Sequence, residues 1–139
     1  EREIASTPHP ALLLMGDRTR SRLRVFALRT RQRPTPNTRL YRAPLPNVSL
    51  RDGLCFGNLP CITPGLSLED VITYYETALF AANFTHLTDH SILADESGKE
   101  KKWTFAELNR FYRALAQERQ FPHQRLLATS MTVTDLLDR

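Results

Sequence analysis

The organisation of the chain depends on the stretch Ala43-Pro-Leu-Pro-Asn-Val-Ser-Leu-Arg-Asp-Gly-Leu-Cys-Phe-Gly57. Its prolines and glycines predict an ordered, turn-rich loop rather than a regular element. The loop carries a potential amide donor, Asn47, and a potential nucleophile, Cys55, eight residues later. Glycines on both sides of Cys55 allow the backbone to turn tightly and bring the sulfur to a surface. Leu54 and Phe56 would anchor that turn on a core, so these residues fit either a buried structural loop or a catalytic loop with an exposed thiol.

The composition is that of one globular domain covering residues 1–139. This length is enough to bury one core, and 41% hydrophobic and 9% aromatic residues are ordinary values. No run approaches the ~18 apolar residues of a membrane helix, and no signal peptide is recognisable. The two cysteines therefore predict a reduced, cytoplasmic protein without membrane contact. Because the chain starts with Glu1 rather than Met, we expect an upstream segment to have been removed.

Positive charge is concentrated in the first third of the chain. Residues 1–42 hold ten arginines against three acidic residues, and the rest holds nine basic against twelve acidic residues, so the two parts carry +7 and −3. This asymmetry is compatible with contact to nucleic acid or to an acidic protein. Four of the arginines alternate with smaller or apolar residues and have no aromatic residue among them, which favours the solvent face of a strand. These four are Arg18, Arg20, Arg22 and Arg24.

Periodicity predicts three antiparallel strands before the central loop. Residues 11–15 read as a short buried strand that ends at a Gly-Asp turn, and residues 22–29 alternate as the second strand of a hairpin. A polar loop with two prolines covers residues 30–38, and residues 39–42 add a third strand. The expected result is an antiparallel meander.

Two helices are expected after the loop. Ser67 and Asp70 have the spacing of a capping-box variant, which would open a helix over residues 68–82 with one apolar stripe. Thr104 and Glu107 form a clean capping box for a second helix over residues 105–119.

The remaining segments are less regular. Residues 88–102 are polar and predict an exposed loop, and residues 124–139 fit either a helix or a strand-turn-helix. Together these elements predict an α+β domain in which the helices pack on one face of the meander.

The central loop resembles the active-site region of ubiquitin-conjugating enzymes. In those enzymes a meander ends in a His-Pro-Asn turn, and the catalytic cysteine follows the asparagine by eight residues, as Cys55 follows Asn47 here. Several runs carry a more specific resemblance, namely Arg39-Leu-Tyr-Arg-Ala-Pro44, Pro46-Asn47-Val48, Gly53-Leu-Cys55-Phe-Gly57 and Phe84-Thr85-His86, with Pro8-His9-Pro10-Ala11-Leu12 and Val25-Phe26-Ala27-Leu28 nearer the start. With these runs the chain resembles the bacterial ubiquitin-conjugating-like family D, which includes protein B of the plasmid-associated PRTRC cassettes, over roughly residues 8–137.

This resemblance implies a ubiquitin-conjugating-enzyme-like fold and thioester chemistry without a cofactor. A ubiquitin-like protein, activated on a ThiF-like adenylating enzyme, would be passed to the Cys55 thiolate and then to an amine or another nucleophile. A JAB-type protease of the same cassette would be a further partner. Leu45 stands where the eukaryotic enzymes carry His, and His86 fits the companion histidine of family D.

The resemblance leaves two roles open for each of the two residues expected near Cys55, namely Asn47 and His86. Asn47 would donate its amide to the oxyanion that forms during transfer, or it would only pin the loop. His86 would deprotonate the incoming amine or polarise the site, because its unperturbed pKa is near neutral, or it would only bond the backbone at a helix end.

Two functions from other classes also fit the sequence. The first is a non-catalytic scaffold that binds the ubiquitin-like or activating protein, and the second is a basic, plasmid-associated factor that binds nucleic acid. Cys61 with Cys55, His86 and His90 matches no common zinc pattern, so we expect no metal. The prolines near Cys61 suit packing or strand pairing, which leaves Cys55 as the predicted thioester residue.

Overall fold

The computed structural model describes residues 7–17, 22–82 and 84–138. Three successive strands form an antiparallel meander, and they are β1 (Ala11–Gly16), β2 (Leu23–Leu28) and β3 (Arg39–Arg42). The pairing of β1 with β2 runs from Ala11↔Leu28 to Gly16↔Leu23, and β2 pairs with β3 through Phe26↔Arg42 and Ala27↔Tyr41. The predicted meander is confirmed, although Arg18 and Arg20 of the proposed arginine face lie outside the described residues.

The central loop contains a regular element that the sequence did not predict. Strands β4 (Val48–Ser49) and β5 (Gly53–Leu54) form a two-stranded antiparallel hairpin. The Ser49 hydroxyl accepts hydrogen bonds from the backbone N–H groups of Arg51 and Asp52, each at 3.2 Å, and so closes the turn between β4 and β5. The prediction of a loop without regular structure is wrong here, because a hairpin of four paired residues is too short to show a period of two.

Two capped helices follow the hairpin. Helix α1 (Leu68–Phe80) begins where the Ser67 hydroxyl accepts the Asp70 N–H at 3.1 Å. Helix α2 (Phe105–Leu115) begins at the reciprocal capping box of Thr104 and Glu107. Both capping predictions are confirmed, whereas each helix ends earlier than residues 82 and 119.

The end of the chain completes the sheet. A single 3-10 turn (His123–Arg125) leads to β6 (Ala128–Thr132), which pairs antiparallel with β3, so the strand order is β1-β2-β3-β6. A short helix, α3 (Val133–Leu137), ends the described chain. Of the two predictions left open for residues 124–139, the strand-turn-helix comes closer.

The two faces of β2 pack against different helices. On one face Leu23 and Val25 join the buried side chains of α1, and Ala27 joins a second cluster built by α2. On the opposite face Phe26 and Leu28 pack with Leu136 of α3. The two predicted helices thus do lie on one face, and α3 adds a cover on the other, because apolar Phe26 and Leu28 need one of their own.

The segment that precedes α2 is more buried than its polarity predicts. Ile92, Leu93 and Ala94 are each at most 3% exposed, and Leu93 forms a single β-bridge with Leu126. The Trp103 indole N–H donates to the Leu93 carbonyl at 2.9 Å. The prediction of an exposed loop is therefore wrong for residues 92–94, which belong to the core, whereas most other residues of 88–102 are exposed. Within the described ranges, the helices are all too short or too polar to cross a membrane.

Candidate active site

Cys55 directly follows strand β5, and its side chain is exposed. The hairpin lies so close to β2 that a Cβ atom at Gly53 would stand 2.3 Å from the Leu23 carbonyl oxygen, and Gly53 also has φ of +83°. Only glycine fits this contact. Beside the cysteine, Leu54 is buried and the Phe56 ring stacks on Tyr74 with 5.5 Å between centroids. The backbone around Cys55 is therefore held on the core while the thiol faces outward.

Asn47 connects the hairpin to helix α1. Its side chain is completely buried, and the amide Nδ2 donates to the Ala78 carbonyl at 2.8 Å. Ala78 lies in the last turn of α1, where helix carbonyls have no partner within the helix. The Asn47 backbone carbonyl accepts the Cys55 N–H at 2.7 Å. One residue thus joins the end of α1 to the backbone of the cysteine.

Two tyrosines hold the ends of the loop. The Tyr112 hydroxyl of α2 donates to the Pro44 carbonyl at 2.5 Å, and the Tyr74 hydroxyl of α1 donates to the Pro60 carbonyl at 2.7 Å. Burial raises the pKa of the Tyr112 hydroxyl well above its usual range, so the group remains a donor. Partial burial, and then nearby Cys61, raise the pKa of Tyr74. Nothing in the local sequence marks these tyrosines as loop anchors, because their partners are distant in the chain.

His86 lies on a segment that runs beside the loop. At one end of this segment the Thr88 N–H donates to the Pro46 carbonyl at 2.8 Å. At the other end the Phe84 ring approaches Gly57, where a Cβ atom would be 3.6 Å from it. Between these two contacts, His86 is exposed, and its Nδ1 lies 3.4 Å from the Thr85 hydroxyl. The companion histidine proposed from the sequence is thus on the strip of chain that borders the Cys55 loop.

The environment of Cys61 differs from the one predicted. It is exposed and belongs to no strand, so the expectation of packing or strand pairing is wrong. The Tyr74 bond to the Pro60 carbonyl holds the backbone just before it and leaves the cysteine side chain outside. Exposure alone therefore does not separate the two thiols. Cys55 is distinguished by its attachment to Asn47.

Both cysteines are exposed, and neither lines the cleft between the Trp103 segment and α2. That cleft, of about 760 Å³, is lined by Trp103, Phe111 and Arg125 with their neighbours, and none of its lining residues comes from 43–61. An exposed thiol on a fixed loop is accessible to a second macromolecule, whereas small substrates are usually enclosed.

The comparisons with known proteins give one result. The sequence model that describes prokaryotic E2 family D matches residues 1–129. No match was found among the curated proteins or among the solved structures.

Proposed function

Because the chain belongs to prokaryotic E2 family D, we propose that it carries a ubiquitin-like protein as a thioester on Cys55. The family places the chain among ubiquitin-conjugating-like proteins, whose partners in general are a ubiquitin-like protein and an activating enzyme. The observation that carries the assignment to Cys55 is its position. The thiol is exposed, and its backbone N–H is held by buried Asn47, eight residues earlier.

The proposed transfer has two steps. The Cys55 thiolate attacks the carbonyl carbon of the thioester on the activating enzyme, a new C–S bond forms, and the thiolate of that enzyme leaves. An amine or another nucleophile then attacks the same carbonyl carbon, and the Cys55 sulfur leaves as thiolate. With an amine, the proton released from nitrogen passes to a base. His86 is the proposed base, because it is exposed on the strip beside the loop and imidazole is the commonest general base in proteins.

Asn47 is proposed to act through the backbone rather than on the oxyanion. Its amide already donates to the Ala78 carbonyl, and its side chain is fully buried. A group in that position supports the cysteine backbone, and its complete burial keeps the second N–H of the amide away from a substrate at the surface. We therefore treat Asn47 as a positioning residue.

The test of the proposal uses the two exposed cysteines as a matched pair. The chain is mixed with an activating enzyme, ATP and a ubiquitin-like protein, and the adduct mass is measured before and after reductant. Wild type and Cys61→Ser should form the same reductant-sensitive adduct. Cys55→Ser should form a reductant-stable ester or no adduct.

Two outcomes would contradict this assignment. Loss of the adduct in Cys61→Ser alone would move the thioester to Cys61. A partner complex that forms without any covalent adduct in wild type would favour the scaffold function, in which the cysteine is not used.

A further inference from the structure

The loop between β2 and β3, together with the first residue of β3, holds three arginines that form no ion pair with a described acidic residue. Arg29, Arg33 and Arg39 line an open cavity of about 330 Å³, together with Thr30 and Gln32. None of the described residues that line the cavity is acidic. In the part of the chain that the structure describes, no carboxylate lies within ion-pair distance of these three guanidinium groups. The cavity therefore combines three positive charges with no compensating charge.

The end of the β2–β3 pair brings two of these charges to the same cavity. Strand β2 ends at Leu28 and β3 begins at Arg39, so Arg29 and Arg39 both lie where the loop leaves the sheet, and both line the cavity. Like charges that are held near one another repel. The loop holding Arg33 is fixed in place, because the Thr134 N–H of α3 donates to the Pro36 carbonyl at 3.0 Å. The arrangement is thus preformed, and an anion between the arginines would relieve their repulsion.

We propose that this cavity, the arginine pocket (Arg29, Arg33 and Arg39), binds phosphate groups. A guanidinium group matches phosphate oxygens with two parallel hydrogen bonds. A carboxylate carries a single charge and would leave most of the pocket's charge uncompensated, whereas linked phosphates carry several. The source of the phosphates is either a nucleic acid backbone or a small polyphosphate compound.

The pocket offers no surface for base stacking. Among the described lining residues the one aromatic side chain is Tyr41, and the Arg29 guanidinium lies over its ring, 5.9 Å from the centroid. Recognition would therefore rest on phosphate alone and be independent of nucleotide sequence. It is also independent of the chemistry proposed for Cys55, so Cys55→Ser should leave phosphate binding unchanged.

The test compares two triple variants that lose the same charge. The first replaces Arg29, Arg33 and Arg39 with Gln, and the control replaces the exposed Arg51, Arg113 and Arg119 with Gln. Binding of a fluorescein-labelled DNA duplex and of tripolyphosphate is measured over a range of salt concentrations. The pocket variant should lose about tenfold or more in affinity at low salt, and the slope of log K against log salt should fall by up to about 3, since each phosphate contact contributes about 0.9. The control should stay within about threefold of wild type.

Each outcome bears on the proposal. Retention of the duplex identifies a nucleic acid backbone as the source, and binding of tripolyphosphate without the duplex identifies a small compound. Equal losses in both triple variants, or no binding of either phosphate probe by wild type, would overturn the proposal. Polyglutamate binding as tightly as the duplex would overturn it in favour of an acidic protein. If the triple variant does not fold, Arg33→Gln in the loop alone should still weaken binding, and unchanged binding in that variant would count against the pocket.

Discussion

At the scale of single residues, the glycine before the cysteine sets the position of the candidate site. Gly53 combines φ of +83° with the closest backbone approach found at any described glycine, to the Leu23 carbonyl. Gly98 has a similar φ of +84° but has nothing within 4 Å of its Cβ position. Substitution of either glycine would strain the backbone, but only substitution of Gly53 would also create a steric clash.

We predict that Gly53→Ala destabilises the protein much more than Gly98→Ala. A left-handed conformation costs a residue with Cβ about 1–2 kcal/mol, and this cost applies to both variants. Only at Gly53 must the hairpin also move away from β2, which should bring the loss to about 3 kcal/mol or more. Urea unfolding measures both variants. Losses of equal size would show that the approach to Leu23 is not a constraint.

At the scale of elements, the candidate site is a short hairpin tied to two helices. Tyr112 of α2 bonds the chain before the hairpin, at Pro44. Asn47, directly before β4, bonds α1, and Tyr74 of α1 bonds the chain after the hairpin, at Pro60. Each tie is a side-chain donor bonded to a backbone carbonyl. The arrangement holds an irregular stretch in one conformation without any long strand.

We predict that Asn47→Ala slows loading and discharge of the thioester by the same factor. The substitution leaves the Ala78 carbonyl without its donor, at a cost of about 1–3 kcal/mol in stability, and loosens the Cys55 backbone for both steps. Asn58→Ala, at an exposed asparagine of the same stretch, is the control and should change neither step. Single-turnover assays measure the rate of loading and the rate of discharge separately, and the two factors of slowing are compared. A larger loss in discharge than in loading would instead support an oxyanion role for the Asn47 amide.

At the scale of the whole molecule, the sheet is covered on both faces. Helices α1 and α2 cover one face, and α3 closes the other against Phe26, Leu28 and Leu40. Helix α3, near the end of the chain, therefore packs in one core cluster with strands from the first third of the chain. Two neighbouring leucines of α3 allow a direct check, because Leu136 is 3% exposed and Leu137 is 72% exposed.

We predict that Leu136→Ala lowers the free energy of unfolding by about 2–4 kcal/mol, as expected for a buried leucine replaced by alanine. Leu137→Ala should change it by less than about 0.5 kcal/mol. Thermal and urea unfolding provide the measurement. Similar values for the two variants would show that α3 does not seal this face of the sheet.

The sequence by itself determined the meander and both helix starts, and it indicated the candidate nucleophile. A short apolar run predicted β1, alternation predicted β2, and the hydroxyl-to-acid spacings at Ser67 and Thr104 located the helix starts, because these signals act between residues close in the chain. The resemblance around Cys55 indicated the family that the comparison then showed.

Only the tertiary structure decided how the parts meet. The pairing of β6 with β3, the burial of residues 92–94 and the loop anchors at Tyr112 and Tyr74 join segments far apart in sequence. The partner of the Asn47 amide is likewise set by where α1 ends in space, 31 residues further along. Such contacts depend on which apolar faces of distant segments pack together, and a local sequence pattern does not specify that packing.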